Sequence, residues 1–445
     1  MFGGAPIIYR LFYWVLRLYH HAFFRSVYVV GRSKPDWTKP NMVASNHPNS
    51  FLDPVIYADS VVPVMHFLAR GDVFKKGFVE WLFVRQFNMI PIYRKEETKN
   101  SGQKNKSIFR WVYRLLGEKA NIVIYTEGHS VPEKRLRPLK KGTAWMAFGA
   151  MDEYGPELDV NIVPMVLNYQ HSHKRNQTVM MNHGEPIRAI DYWDLYQTDQ
   201  TKAVDDLTAE LDKRMRPLMV TLDTPEADQL GYTALDIARN DAYQSKPQWV
   251  RKPDEAPPSF HAEKAMAKAV NTLYQKNPEE AKQWEEKAKN YRELLLDNKL
   301  IDEALSDGQK LLNWEKLLLW IGWPLFLLSR PFTAWPKRLG KGLVEKRKLW
   351  GTQWYLSIFY GLEWITFSVL FLLLVTLTFI FLGSVWGWIS IPAIIFTSIY
   401  GERYSFLAYR SLQNGRWKRF QKKKPTVAKE IEDLRKSIAG LKSSN

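Results

Sequence analysis

The chain has 445 residues, a formal net charge of +17, 18 tryptophans and no cysteine. Its length allows a sizeable core and more than one domain, and its charge fits an acidic partner such as nucleic acid, anionic lipid or an acidic carrier protein. The tryptophans favour a membrane boundary, because indole prefers the headgroup level. The lack of cysteine excludes disulfides, a thiol nucleophile and a zinc site with thiolate ligands.

The N-terminal residues 1–24 form the first predicted segment. Residues 6–24 combine apolar, aromatic and basic side chains at helical spacing, which is typical of an amphipathic helix that lies in a membrane interface or packs on the protein's own core. Arg10 and Arg17 interrupt the apolar run, so no cleaved signal peptide is predicted. Residues 26–30 predict the first strand.

A polar loop at residues 46–53 contains His47 and Asp53 and follows a buried strand predicted at residues 42–45. Asp53 and the proline after it predict the start of a helix. Across such a loop, imidazole can accept a proton near neutral pH while the carboxylate fixes its tautomer. The activated hydroxyl would belong to a substrate, since no serine nucleophile motif lies nearby. The residues alone leave open a loop histidine beside a helix-capping aspartate.

Strands and helices alternate after this loop. The predicted strands are residues 64–69, 89–93 and 122–125, and the predicted helices lie within residues 74–86 and at residues 108–116 and 143–149. Polar residues collect where the strands end. This pattern predicts an α/β sandwich whose site lies along one edge of the sheet.

Four residues near these strand ends could help to bind an anionic ligand that also carries a hydroxyl group. Arg94 presents planar, bidentate donors that match phosphate oxygens, although a solvated strand-end cation is the alternative. Gly128 allows backbone to approach a ligand closely, and Glu127 can accept a hydrogen bond from a hydroxyl or orient the arginine. Lys140 lies just before a predicted helix start, where lysines and free amide groups attract anions.

Four stretches resemble, in the right order, the four sequence blocks of the glycerolipid acyltransferases. They are residues 46–53, 90–94, 125–130 and 162–166. The resemblance implies a glycerolipid-acyltransferase-like α/β domain in which His47 is the general base and Asp53 orients it. It also implies that Arg94, Glu127, Gly128, Ser130 and Lys140 bind the acceptor and that Pro164 lines an acyl pocket. The implied donor is acyl-CoA or acyl-carrier protein, and no cofactor or metal is implied.

The sequence departs from the common family pattern in the first three blocks. His47 and Asp53 are one residue further apart, Asn88 stands where glycine is frequent, and the third block lacks its arginine, whose contact is missing or comes from Arg135 or Arg137. The longer spacing, the third block in the form Glu-Gly-x-Ser and the stretch at residues 136–142 resemble the fungal-type glycerol-3-phosphate/dihydroxyacetone-phosphate acyltransferases and their bacterial relatives. The spacing, the third block and the C-terminal placement of the membrane hairpin favour glycerol 3-phosphate as acceptor over 1-acylglycerol 3-phosphate (lysophosphatidate). Val131, where that subgroup often has histidine, does not fit.

The rest of the predicted catalytic domain, residues 25–223, contains a strand at residues 178–181 and a helix at residues 202–222. His171, His173 and His183 lack carboxylates at ligand spacing, so no metal site is predicted. A charged helical subdomain is predicted at residues 224–310, with a loop at residues 245–259. One of its helices begins at Asn277-Pro278, and Trp284, Ala288, Tyr291 and Leu295 mark that helix's buried face.

The predicted membrane region is residues 311–424. Residues 317–328 are too short to span and suit a re-entrant or interfacial segment. A transmembrane hairpin is predicted at about residues 356–407, with a first helix at 356–382, a turn at 383–387 and a second helix at 388–400 or, in an extended form, 388–407. Basic flanks place both ends, and the catalytic domain, in the cytoplasm. Residues 425–445 predict a charged tail, a short helix that fades into disorder.

Two other classes of function remain open at this point. An inactive relative that acts as a membrane scaffold is favoured by the altered third block and opposed by the intact His47–Asp53 pair. Nucleic-acid binding is supported only by charge and lacks a recognition motif, so the predicted partners are the donor, the acceptor and the lipid bilayer, with no nucleic acid. Release of a thiol from acyl-CoA would separate acyl transfer from both.

Overall fold

The protein is described by a computed structural model over residues 6–60, 64–74, 77–93, 101–244 and 254–443. The chain forms two compact units. The first comprises Met1–Met219 with Leu349–Ser357, and the second comprises Val220–Lys348 with Ile358–Asn445. The domain boundaries predicted from composition stay predictions, and each unit is considered by itself below.

The first unit is built on an eight-stranded mixed sheet in the order β1-β7-β6-β2-β5-β3-β4, with β8 paired to β6. The strands are β1 Ser26–Val30, β2 Asn41–Ser45, β3 Met65–Arg70, β4 Met89–Ile92, β5 Asn121–Tyr125, β6 Asn161–Tyr169, β7 Thr178–His183 and β8 Ile187–Arg188. Five neighbouring strands, β6-β2-β5-β3-β4, run parallel. Their carboxyl ends therefore lie at one edge of the sheet, as predicted for an α/β fold.

The helices of the first unit cover this sheet. They are α1 Ile7–Phe23, α2 Leu52–Ser60, α3 Phe78–Trp81 with a π-helical turn at Leu82–Gln86, α4 Ser101–Gly117, α5 Gly142–Tyr154, α6 Trp193–Thr198 and α7 Gln200–Met215. All five residues of β2 are buried, as expected for a central parallel strand covered on both faces. Met42 and Ala44 of β2 share one hydrophobic cluster with residues of α4, α5 and α7.

The predicted elements of the first unit are confirmed, with shifted ends. Helix α4 begins at Ser101, seven residues before the predicted start at Ile108. These first turns escape prediction from the sequence because residues 101–107 are polar and show no apolar period. Helix α7 ends at Met215, short of the predicted residue 222, and a 3-10 turn containing Pro217 follows it. Asp53 lies inside the first turn of α2 rather than at its cap.

The second unit is helical in the described residues. Its helices are α8 Asp228–Asp241, α9 Pro258–Lys276, α10 Pro278–Asp297, α11 Asn313–Ile321, α12 Trp323–Lys346, α13 Tyr355–Leu382, α14 Ser384–Lys423 and α15 Pro425–Ala439. The first three residues of α13 belong to the first unit, and the helix belongs to the second unit from Ile358 onwards. Most of the loop predicted at residues 245–259 lies outside the described residues, and its end belongs to α9. The buried face predicted for α10 is wrong at one position, since Ala281 is buried and Trp284 is not.

Two helices, α13 and α14, are long and apolar enough to cross a membrane. Helices α11 and α12 together form a third apolar stretch that is bent by 76° at its break. Such a bent pair is either a broken span or a re-entrant loop, so the re-entrant or interfacial segment at residues 317–328 stays a prediction. The break lies at Gly322, whose carbonyl accepts a hydrogen bond from the Tyr400 hydroxyl at 3.0 Å. The predicted five-residue turn of the hairpin is reduced to Gly383, which has φ 87°, a conformation that favours glycine.

The second hairpin helix runs 16 residues beyond its predicted limit at Leu407, to Lys423. Its later part carries charges that are paired inside the unit. Arg410 donates to Glu315 at 2.8 Å, and Lys337 pairs with the buried Glu402. The sequence pattern cannot show these pairings, because the partners are distant in the chain.

The C-terminal tail is more ordered than predicted. Helix α15 buries Ala428, Ile431 and Ile438, and the helical conformation continues through Ser443. Arg435 donates to Asp302 at 2.8 Å and to Asp241 at 2.7 Å. The disorder predicted for the tail is therefore wrong for residues 425–443.

Candidate active site

His47 and Asp53 meet across the loop between β2 and α2. The Nδ1 atom of His47 lies 2.8 Å from Oδ2 of Asp53. The side chain of Asp53 is fully buried, whereas that of His47 keeps 18% of its surface exposed. The main-chain N–H of Asn49 also donates to Oδ2, at 2.8 Å. The pair thus consists of a buried carboxylate that the N–H of Asn49 helps to hold and an imidazole that stays partly accessible.

Tyr169, at the end of β6, completes the surroundings of Asp53. Its hydroxyl donates to Oδ1 at 2.7 Å. Burial and the nearby Asp53 carboxylate raise the pKa of Tyr169 well above its usual value, so the hydroxyl keeps its proton and acts as a donor. The two residues are 116 positions apart. No local sequence signal predicts this contact, which depends on β6 lying beside β2.

Asn46 fixes the start of the catalytic loop to the same strand. Its side-chain amide donates to the carbonyl of Leu167 at 3.1 Å and accepts from the N–H of Leu167 at 2.8 Å. A carboxamide that does both replaces a rung of the strand ladder just where β2 ends. The fixed position of Asn46 determines where the next residue, His47, leaves the sheet.

The third sequence block encloses His47 from the β5 side. The ring of His47 stacks on that of Tyr125, with centroids 3.9 Å apart and planes inclined by 18°. The carbonyl of His47 accepts from the N–H of Val131 at 3.0 Å. The Ser130 hydroxyl accepts from the N–H of Ser50 at 2.9 Å. The structure therefore brings Ser130 to the catalytic loop.

Glu127 is a buried carboxyl group two residues beyond the end of β5. Burial raises its pKa to about 8, against a smaller lowering by Arg137, and its Oε1 atom has no hydrogen-bond partner among the described residues. Gly128 follows with φ 72°, and a Cβ there would lie 3.3 Å from Cγ of Lys140. The N–H of Lys140 donates to the Thr126 carbonyl at 2.7 Å. Glu127, Gly128 and Lys140 are thus close neighbours.

The remaining predictions about binding residues concern Arg94, Pro164 and the two arginines Arg135 and Arg137. Arg94 lies outside the described residues. Pro164 lies in β6 opposite Ala44, and its carbonyl accepts from the N–H of Gly184; its place in an acyl pocket stays a prediction. Arg135 and Arg137, offered as replacements for the missing arginine, both donate to Glu133, at 2.9 and 2.6 Å.

The histidines outside the catalytic loop do not gather around a metal position. No group of three or more potential metal-ligating side chains is present in the part of the chain that the structure describes. His183 instead lies 3.0 Å from the Tyr57 hydroxyl through Nε2 and 3.1 Å from the Val30 carbonyl through Nδ1. These contacts give His183 a structural role in the core.

Part of the chain is similar to known proteins. The family model described as "Acyltransferase" matches residues 26–168. Glycerol-3-phosphate O-acyltransferase 1 of Saccharomyces cerevisiae is 39% identical over 80 residues, which is 18% of this chain and 10% of that protein. Glycerol-3-phosphate O-acyltransferase 2 of the same yeast is 31% identical over 128 residues, covering 28% of this chain and 17% of that protein. The chain thus spans less than a fifth of either relative's length.

A solved structure is also similar in part. It is the 1-acyl-sn-glycerophosphate (LPA) acyltransferase PlsC of Thermotoga maritima, which is 15% identical, with a TM-score of 0.32, over 43% of this chain and 70% of that chain.

The matched segment, with its histidine and aspartate at the carboxyl end of a central parallel strand, defines an acyltransferase domain. Parts of the chain are also similar to the two yeast glycerol-3-phosphate O-acyltransferases. The comparisons thus support a glycerolipid acyltransferase family for the domain at residues 26–168.

Replacing Tyr169 by phenylalanine is predicted to lower the kcat for acyl transfer about tenfold or more. A hydrogen bond to a charged group contributes roughly 1.5–3 kcal/mol, and its loss leaves Asp53 free to turn away from His47. Steady-state kinetics of the purified variant would measure this. Tyr196→Phe is the matched control, because Tyr196 is equally buried and donates to Asp152 at 2.8 Å. Equal losses in both variants would contradict a specific role for Tyr169.

Glu127→Gln is predicted to change how stability depends on pH. The pKa of Glu127 is about 8 in the folded chain and near 4.5 when unfolded, so the wild type loses stability as pH rises through this window. The amide cannot ionise and avoids that loss. The melting temperature of the variant should therefore rise relative to wild type between pH 5 and pH 9, by on the order of 5 °C.

Thermal melts in detergent across this pH range would measure the difference. Glu157→Gln is the control, because Glu157 is exposed and should give a difference that is independent of pH. A constant offset for Glu127→Gln as well would show that Glu127 is ionised throughout.

Proposed function

We propose that the protein is a membrane-bound O-acyltransferase that transfers a fatty acyl group from acyl-CoA or acyl-carrier protein to glycerol 3-phosphate. The observation that carries the proposal is the His47–Asp53 pair, with Nδ1 and Oδ2 2.8 Å apart, inside the segment that the acyltransferase family model matches. Partial similarity of the chain to two yeast glycerol-3-phosphate O-acyltransferases supports the choice of acceptor. The product would be a precursor of phosphatidate.

His47 acts as the general base through Nε2, because Asp53 occupies Nδ1. The imidazole removes the proton from the acceptor hydroxyl as the oxygen attacks the thioester carbonyl. A C–O bond forms, the C–S bond breaks, and the proton passes from His47 to the departing thiolate. Asp53 holds the ring and stabilises the imidazolium, and the stacked ring of Tyr125 limits its rotation.

The acceptor phosphate binds near the end of β5. The Glu127 carboxyl is largely protonated at neutral pH, because burial raises its pKa to about 8, and it can donate a hydrogen bond to a phosphate oxygen. Gly128 leaves room for close approach, and the exposed ammonium of Lys140 supplies positive charge. The sequence resemblance adds Arg94 as a phosphate clamp and Pro164 as part of the acyl pocket. Holding the phosphate aligns the hydroxyl with His47.

Lysophosphatidate is the alternative acceptor, since it carries the same phosphate and a free hydroxyl. The names of the two yeast relatives favour glycerol 3-phosphate, as does the longer spacing between His47 and Asp53. His47 would deprotonate the hydroxyl of either acceptor. The two alternatives therefore differ in the substrate and share one reaction mechanism.

The experiment that tests the proposal is a competition assay with purified protein in detergent. Equal concentrations of glycerol 3-phosphate and lysophosphatidate are offered with acyl-CoA or acyl-carrier protein. Thiol release and product composition are then measured. We expect 1-acylglycerol 3-phosphate to form before phosphatidate, because glycerol 3-phosphate is the proposed acceptor and its acylation gives 1-acylglycerol 3-phosphate.

His47→Ala is the control for that assay. Removing a general base lowers the rate by about two to four decades, while membrane binding and the melting temperature should stay close to wild type. Phosphatidate formation with glycerol 3-phosphate untouched would establish the alternative acceptor. Wild-type turnover by His47→Ala would contradict the mechanism.

The topology of the hairpin is a further proposal. We expect both basic flanks and the catalytic unit on the cytoplasmic side, with the turn at Gly383 on the other side. The natural chain has no cysteine, so single cysteines report position cleanly. An impermeant maleimide should label Glu157→Cys and Lys429→Cys in inside-out vesicles, and Ser384→Cys only after detergent is added. Labelling of all three from one side would rule out the hairpin.

A further inference from the structure

The segment Leu349–Ser357 is distant in sequence from the catalytic loop but belongs to the same compact unit. It ends in the first turn of α13, which begins at Tyr355. Tyr355, Leu356 and Ser357 are all buried. A polar side chain buried this well must satisfy its hydrogen bonds within the protein.

Ser357 satisfies them on the backbone that leads to Asp53. Its hydroxyl donates to the carbonyl of Asn49 at 2.5 Å and accepts from the N–H of Leu52 at 3.2 Å. The first contact joins residues 308 positions apart. The hydroxyl thus connects both ends of the turn formed by residues 49–52, and the next residue is Asp53.

This turn determines the position of the catalytic carboxylate. The N–H of Asn49 donates to Oδ2 of Asp53, so Asn49 holds Asp53 with one main-chain group and Ser357 with the other. Ser50, within the turn, has φ 43°, a left-handed conformation that costs energy for a residue other than glycine. Such a conformation persists when surrounding contacts hold it, and Ser357 provides two of them.

Aromatic contacts keep the segment in place. The ring of Phe51 lies 5.5 Å from that of Trp354. His173 also contacts the rings of Trp350 and Tyr355, with centroids 5.8 and 6.5 Å away. The segment is therefore held against the rest of its unit by three aromatic residues that precede Ser357.

We propose that Ser357 is a positioning residue for the reaction, which holds the turn at residues 49–52 so that Asp53 keeps His47 aligned. The hypothesis rests on the proposed function for its kinetic consequences, although the alignment of His47 can be measured without turnover. Both hydrogen bonds of the Ser357 hydroxyl go to the backbone of the catalytic loop. Its effect must therefore pass through Asp53.

The first test measures the alignment directly. Full-length protein is treated with diethyl pyrocarbonate, and modification of His47 is followed by peptide mass spectrometry. Ser357→Ala should increase the rate of His47 modification severalfold, because Nδ1 loses its fixed partner. Thr366→Val is the matched control: Thr366 lies in the same helix, and its hydroxyl donates to the Leu362 carbonyl of that helix. This control should leave the rate unchanged.

The second test uses kinetics and a double-mutant cycle. Ser357→Ala should lower kcat about tenfold, the usual effect of one lost hydrogen bond, and leave the KM for the acceptor unchanged. In the Asp53→Asn background, adding Ser357→Ala should cost less than twofold, because the residue through which it acts is already disabled.

The outcomes separate this inference from the proposed function. An unchanged rate of His47 modification in Ser357→Ala overturns the positioning role even where acyl transfer is confirmed. A full tenfold loss in the Asp53→Asn background also overturns it, since Ser357 would then act by another route. Faster modification of His47 with no acyl transfer by wild type would support the positioning role and reject the proposed function.

Discussion

The active site depends on one buried carboxylate. Asp53 has no exposed side-chain surface and accepts hydrogen bonds from the imidazole of His47, the N–H of Asn49 and the hydroxyl of Tyr169. A buried charge is tolerated only when its desolvation is offset by such partners. Because the donors come from the loop itself and from β6, the sheet and the loop must be correctly assembled before Asp53 can orient the imidazole of His47.

The parallel sheet provides that assembly. Strands β5 and β6 flank β2, so the residues that follow β2 and β5 and those that end β6 collect at one edge. Asn46 extends the pairing of β2 with β6 by one more residue, and Ser130 joins the β5 side to the catalytic loop. The loop between His47 and Asp53 is thus held from both neighbouring strands, which explains how an irregular segment can carry a well-defined geometry.

How far the sequence predicts this site depends on the separation of the residues involved. His47 and Asp53 lie six residues apart, and the apolar run before them with the helix signal after them predicts both the loop and its chemistry. Tyr169 and Ser357 act on the same loop from far along the chain. Their roles follow from strand order and from the packing of Leu349–Ser357, which local periodicity does not encode. The order of the tail has the same origin, because α15 is stabilised by residues of other helices.

The site also shows why residue type alone does not define a carboxyl group's role. Asp53 is met by three donors, whereas Oε1 of Glu127 has no hydrogen-bond partner among the residues that the structure describes. Burial raises the pKa of Glu127 to about 8 in spite of a smaller lowering by Arg137, and the sequence-based expectation that Glu127 accepts a hydrogen bond from a hydroxyl changes accordingly. At neutral pH one carboxyl group is arranged to accept and the other to donate. A phosphate beside an ionised Glu127 would be repelled, so the protonated carboxyl is the form compatible with an anionic acceptor.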